Sequence, residues 1–139
     1  MFLLRYATAT RIPVGPFLDA ADGITPETSI TVTDCHLTLV VQTTGASSLL
    51  LDANATASGG SNDMIHVSGD DAGVYDLELT AANLTFTGVG ILSINNVSVH
   101  APVFHEIVVL PAVIYDALIA GTGKLSVIEE NPVRCWMRS

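Results

Sequence analysis

The side chains able to serve as nucleophile, base or metal ligand are few: Cys35, Cys135, His36, His66, His100 and His105. The four histidines are scattered through separate predicted strands, and none sits in a nucleophile-bearing motif. Cys35 and His36 are neighbours on a predicted strand, so they point to opposite faces and cannot act as a nucleophile and its base. Zinc needs clustered Cys and His at ligand spacing, which two cysteines and four dispersed histidines do not supply. Asp63, Asp70, Asp71 and the carboxylates at 19–22 are oxygen ligands without a basic neighbour, chemically suited to calcium. No twelve-residue ligand loop accompanies them, and short Asp/Gly turns account for them as turn chemistry. Gly121-Thr122-Gly123-Lys124 lacks the first glycine and the spacing of a phosphate loop. Sequons at Asn54, Asn83 and Asn96 fall in a Ser/Thr/Asn-rich chain where chance explains them. The expectation is a protein with no catalytic residues, no cofactor and no metal.

Charge narrows the partners. Arg5, Arg11, Lys124, Arg134 and Arg138 are the only bases, and residues 12–123 contain none. That span holds twelve of the fourteen acidic residues, within a formal net charge of −9. A nucleic acid or an anionic membrane surface would be repelled, so neither is an expected partner. No apolar run reaches the roughly 18 residues of a membrane-spanning helix. The apolar stretch at residues 2–4 is too short for a signal peptide, and the chain is expected to be made in the cytoplasm without targeting. Cys35 and Cys135 stand a hundred residues apart, and their spacing requires no disulfide.

The elements that must position these residues read as strands. At 139 residues the chain fits one domain. Residues 1–123 are expected to form a single sandwich domain and residues 124–139 a charged C-terminal tail carrying Trp136. Residues 2–9 read as a strand leading into a proline-rich arm that ends at residue 17. In residues 30–42, Cys35, Leu37, Leu39 and Val41 share one face of a half-buried strand broken near Asp34. Apolar bursts at 49–51, 64–67, 74–79, 84–87, 91–94 and 104–110 are separated by turn residues. Such short spacing indicates an all-β sandwich or barrel. Residues 111–119 alone read as a helix, with Pro111 at its first position, Val113, Ile114, Ala117 and Leu118 along one side, and Gly121 ending it. Nine residues cannot hold a helix alone in water, so this one must dock on the sheet or on a neighbour.

The most specific pattern is Asp71-Ala72-Gly73-Val74-Tyr75, the D-x-G-x-Y signature of the tyrosine corner in immunoglobulin-like sandwiches. Asp71, Gly73 and Tyr75 are therefore expected structural residues, the tyrosine hydroxyl bonding backbone just upstream. Arg11, Pro13, Val14, Pro16 and Phe17 form the expected docking element, since prolines reduce the entropy lost when an arm is ordered at an interface. Tyr115 and Trp136 are further expected interface anchors.

Three stretches together resemble a family of short tailed-bacteriophage structural proteins. They are residues 11–28, opening Arg11-Ile12-Pro13-Val14-Gly15-Pro16-Phe17, residues 69–76 and residues 102–116. That family is similar to the N-terminal sandwich domain of phage upper baseplate proteins. The resemblance implies an immunoglobulin-like antiparallel β-sandwich serving as an assembly module in the virion, with no catalytic residues to carry over. The segment after Lys124 departs from the family's pattern. The expectation is a virion protein of the tail or baseplate region that connects other tail components, such as a fibre or spike, with other virion proteins and copies of itself as partners. A decoration protein cementing the capsid surface is the alternative. A glycan- or receptor-binding module is a third, weakened by a single Trp and three Tyr, one of them assigned to the core.

Overall fold

The computed structural model describes residues 1–119 and residue 121, and in it eight strands form two sheets. The strands are β1 Phe2–Arg5, β2 Thr10–Val14, β3 His36–Thr43, β4 Ala46–Asn54, β5 Met64–His66, β6 Tyr75–Leu79, β7 Gly88–Asn96 and β8 His100–Leu110. One sheet has the order β1-β8-β7-β3-β4 and the other β2-β6-β5. β1 runs parallel to β8, and the remaining pairings are antiparallel. Strands β2, β6 and β5 occupy the B, E and D positions of an immunoglobulin-like sandwich. Strands β3, β7 and β8 occupy C, F and G, with β4 added beside C as in variable-type domains. The chain is thus an all-β, immunoglobulin-like sandwich with one short helix, α1 Ala112–Leu118.

Alternation explains the packing. Cys35, Leu37, Leu39 and Val41 all face inward, against Leu92 and Ile94 of β7 and Ile107 and Val109 of β8 in the same sheet's inner face. Ile12, Val14, Met64, Leu77 and Leu79 close the core from the second sheet. The break near Asp34 is a single 3-10 turn at Val32–Asp34. The burst at 84–87 is not a strand: a 3-10 turn at Ala82–Leu84 delivers Leu84 to the core, and Phe86 packs partly buried beside it. α1 is capped by Pro111 rather than starting on it, and it docks on the sheet edge. There Arg5 of β1 grips Asp116 through Nε–Oδ1 at 2.9 Å and Nη2–Oδ2 at 3.2 Å.

The first seventeen residues correct the expected strand and arm. β1 ends at Arg5, the backbone turns through Ala7 at φ 51°, and β2 joins the opposite sheet. Pro13 does not prevent this because β2 is an edge strand, where a missing N–H leaves no ladder partner unsatisfied. Ile12, Val14 and Phe17 are buried. The segment just past β2 is tied down as well: Gly15 N–H donates to His105 Nε2 at 3.0 Å, and Phe17 N–H to the Gly73 carbonyl at 2.8 Å.

The D-x-G-x-Y pattern also takes a different form. Tyr75 opens β6, an E-type strand, whereas the tyrosine corner belongs to the F strand of the other sheet. Its buried hydroxyl accepts from Ile30 N–H at 3.0 Å, 45 residues upstream, and so clamps the long β2–β3 connection onto the second sheet. Burial pushes the Tyr75 phenol up from its ordinary pKa. Asp71 is exposed, and the neighbouring Asp70 organises the turn by accepting from Ala72 N–H and Val74 N–H. Gly73 is required twice over: φ is +85°, and a Cβ there would lie 2.5 Å from the Phe17 carbonyl oxygen.

Candidate contact surface

Among the described residues, which do not include Cys135, most chemistry-bearing side chains are spent on internal contacts, while the buried His66 Nε2 has no hydrogen-bond partner. Cys35 lies 3.7 Å from His100 Nε2, a pair that no sequence spacing announces and that only the strand order brings together. His100 Nδ1 donates to the Ala101 carbonyl at 2.7 Å, which leaves Nε2 to accept from the thiol. Both residues are fully buried, and burial, with Asp34 nearby, pushes the Cys35 thiol up to about 11. It therefore carries essentially no thiolate at neutral pH. His100 and His105 share β8, not separate strands. His105 is packed edge-on against Phe2, with ring centroids 5.4 Å apart, and burial lowers its pKa, keeping it a neutral acceptor for Gly15. His36 is exposed, and its bonds to Asn54 Oδ1 and Asp52 Oδ1 raise its pKa. His66 Nε2 lies 3.7 Å from Asp70 Oδ2 beside an open depression lined by Pro13, Ile65, Val67, Ser68 and Asp76. Among the described residues, no group of three His, Cys, Asp or Glu could hold a metal ion, and no helix is long and apolar enough to cross a membrane.

The expected docking element is dismantled by its own burial. Val14 and Phe17 are core residues, Phe17 meeting Tyr75 and His100 edge-on at centroid distances of 5.0 and 4.7 Å. Arg11 bridges two carboxylates, Nη1 to Asp63 Oδ1 at 2.7 Å and Nε to Asp76 Oδ2 at 2.8 Å. Burial would raise the Asp63 carboxyl, but the Gly59 amide and Arg11 outweigh it and hold it below its usual range. Pro13 is exposed, Pro16 likewise, Tyr115 is half-buried on α1, and Trp136 lies outside the described residues.

A different surface is open. Parts of the five-stranded sheet carry apolar residues on both faces, and the register aligns the outward ones. Leu3, Val108 and Val89 form one row across β1, β8 and β7. Ile91, Val40 and Leu49 form the next across β7, β3 and β4. Phe104, 65% exposed, stands on β8 beyond Glu106, opposite Ser93. The rim is polar: Glu106, at the end of its row where β1 does not extend, then Asp52 with His36, and the hydroxyl pair of Thr38 and Ser93. The acidic residues of this sheet's strands are Asp52 and Glu106 alone. By contrast, the outer face of the three-stranded sheet carries Arg11, Asp76 and Glu78, with Asp63, Asp70 and Asp71 in the adjoining loops.

No family model and no curated protein matches the chain. Among solved structures, it is similar to the second immunoglobulin domain of the mouse polymeric immunoglobulin receptor. The identity is 12% over 79% of this chain and 92% of that one, with a TM-score of 0.38.

Proposed function

We propose that this chain is a non-enzymatic assembly module, a structural subunit that works by being held against other proteins. The observation that carries the reading is the outward face of the five-stranded sheet, where Leu3, Val40, Leu49, Val89 and Ile91 are exposed together in two adjoining rows, bordered by Glu106, Ser93, Thr38 and Asp52, with Phe104 exposed beyond that border. An apolar centre with a polar border is the anatomy of a protein contact, and exposed patches of this kind mark interaction sites. The rigid sandwich beneath holds the face in one shape, so little ordering entropy is lost on docking.

The setting comes from the resemblance of residues 11–28, 69–76 and 102–116 to short phage structural proteins. On that basis the module belongs to a tailed-bacteriophage particle, in the tail or baseplate region, where it joins other virion components. The test is incorporation into the virion. Peptides of the chain should co-purify with intact particles at tail-like copy number. An Ile91→Glu variant, folded by circular dichroism, should be missing from them. Absence of the wild-type chain from purified particles would overturn the phage assignment, and normal incorporation of the variant would remove the face from the account.

A further inference from the structure

We propose that the partner seated on the outer face of the five-stranded sheet is a second copy of this chain, packed sheet against sheet about a two-fold axis near Ile91. The inference rests on the reading of that face as a protein contact and names its occupant.

Charge favours this arrangement. Two copies each carrying −9 repel, so a self-contact must keep the acidic surfaces apart. Pairing through the five-stranded sheets separates most of that charge, because the three-stranded sheets with Asp76 and Glu78 then lie on the two outermost layers, and Glu106, beside Ile91, and Asp52 are the acidic residues these strands leave at the contact. With sheets stacking about 10 Å apart, those layers are separated by roughly 30 Å, several times the Debye length of about 8 Å in physiological salt. Among the described residues, the bases offer no competing design. Arg5 and Arg11 are the basic residues of 1–119, and both are committed to internal ion pairs.

Area favours it too. Five strands at about 4.8 Å spacing and some eight residues of about 3.3 Å each give a face of roughly 20 by 27 Å. Projecting side chains enlarge that footprint, so two such faces bury more than the roughly 1,000 Å² a specific interface needs. Ile91 lies on β7, the middle strand, with Val40 and Leu49 in its own row, the aliphatic row of Leu3, Val108 and Val89 on one side, and the polar row of Ser93, Thr38 and Asp52 on the other. Edge-to-edge pairing is the less suitable route. β1 has four residues, β5 three, and β2 carries Pro13, while β4 is bulged at Leu50, where the register skips from Leu51 to Leu49.

Sedimentation velocity on the purified full chain at micromolar concentrations tests the proposal. The wild type should sediment at twice the 14.6 kDa chain mass. Ile91→Glu, which sets two carboxylates at the symmetric centre, should weaken association by about a hundredfold or more and sediment as a monomer with an unchanged circular dichroism spectrum. Val97→Glu, at an exposed turn off the face, should remain dimeric. A monomeric wild type, a dimeric Ile91→Glu, or equal dissociation of Val97→Glu would each overturn the proposal. A monomeric wild type whose Ile91→Glu variant still failed to enter particles would overturn self-pairing alone and leave the assembly reading standing.

Discussion

Replacing Phe17 by alanine separates a core residue from a docking arm. The side chain is fully buried, with Tyr75 and His100 both edge-on to its ring. Its backbone is also fixed, since its N–H donates to Gly73 and its carbonyl accepts from Glu27 N–H at 2.8 Å each. The surroundings therefore collapse little into the space left behind. Phe→Ala at such a site costs about 3–5 kcal/mol in lost transfer energy and cavity. The aromatic pairs place Phe17→Ala in the upper half of that range, near 4 kcal/mol. A domain of this size has about 5–15 kcal/mol in total, so a large fraction of its stability is at stake. Urea unfolding followed by near-ultraviolet circular dichroism reads it: with a slope of about 2 kcal/mol/M, the midpoint should fall by about 2 M. A loss below about 0.5 kcal/mol, the range of ordinary surface substitutions, would refute the placement of Phe17 in the core.

Three further outcomes test neighbouring parts of the structure. Gly73→Ala should cost more than about 3 kcal/mol, because it adds a collision with the Phe17 carbonyl to left-handed strain. Gly69→Ala, at φ +81° with open space around it, should cost only about 1 kcal/mol, and thermal melts of the two should differ clearly. Tyr75→Phe should cost about 1 kcal/mol, the low end of the range for a stranded donor because the Ile30 amide is only part-buried, as chemical denaturation would register. His105 has a lowered pKa in the fold, so its contribution is present above about pH 6.5 and declines as pH falls below that value. The stability advantage of wild type over His105→Gln should accordingly shrink between pH 7 and pH 5. The exposed His36 has the opposite sign, its smaller contribution fading as pH rises through its raised pKa.

Much of the sandwich was legible because alternation reports which side of a strand is buried. Leu37, Leu39 and Val41 mark the inner face of β3, with Cys35 buried just before it, a 3-10 turn breaks the run at Asp34, and Tyr75, Leu77 and Leu79 alternate inward on β6. Residues 11–17 read as an arm because prolines argue against a regular strand, and the strand that β2 pairs with lies some sixty residues away. The Asp70 turn and the long reach of the Tyr75 hydroxyl were hidden for the same reason, since a local motif does not encode what a distant loop brings to it. The contact face did leave a signal in the sequence. Leu39-Val40-Val41, Leu49-Leu50-Leu51 and Ile107-Val108-Val109 are apolar at both parities, which a sheet exposed to water on one side does not require.

Hydroxyl-radical footprinting, read residue by residue in the dilute chain and in the assembled state, tests the contact face most directly. Leu3, Val40, Leu49, Val89, Ile91 and Phe104 should lose labelling on assembly, while Ile24 and Val97, 78% and 72% exposed elsewhere on the surface, should not change. Undiminished labelling of Ile91 and Phe104 in the assembled state would contradict the account.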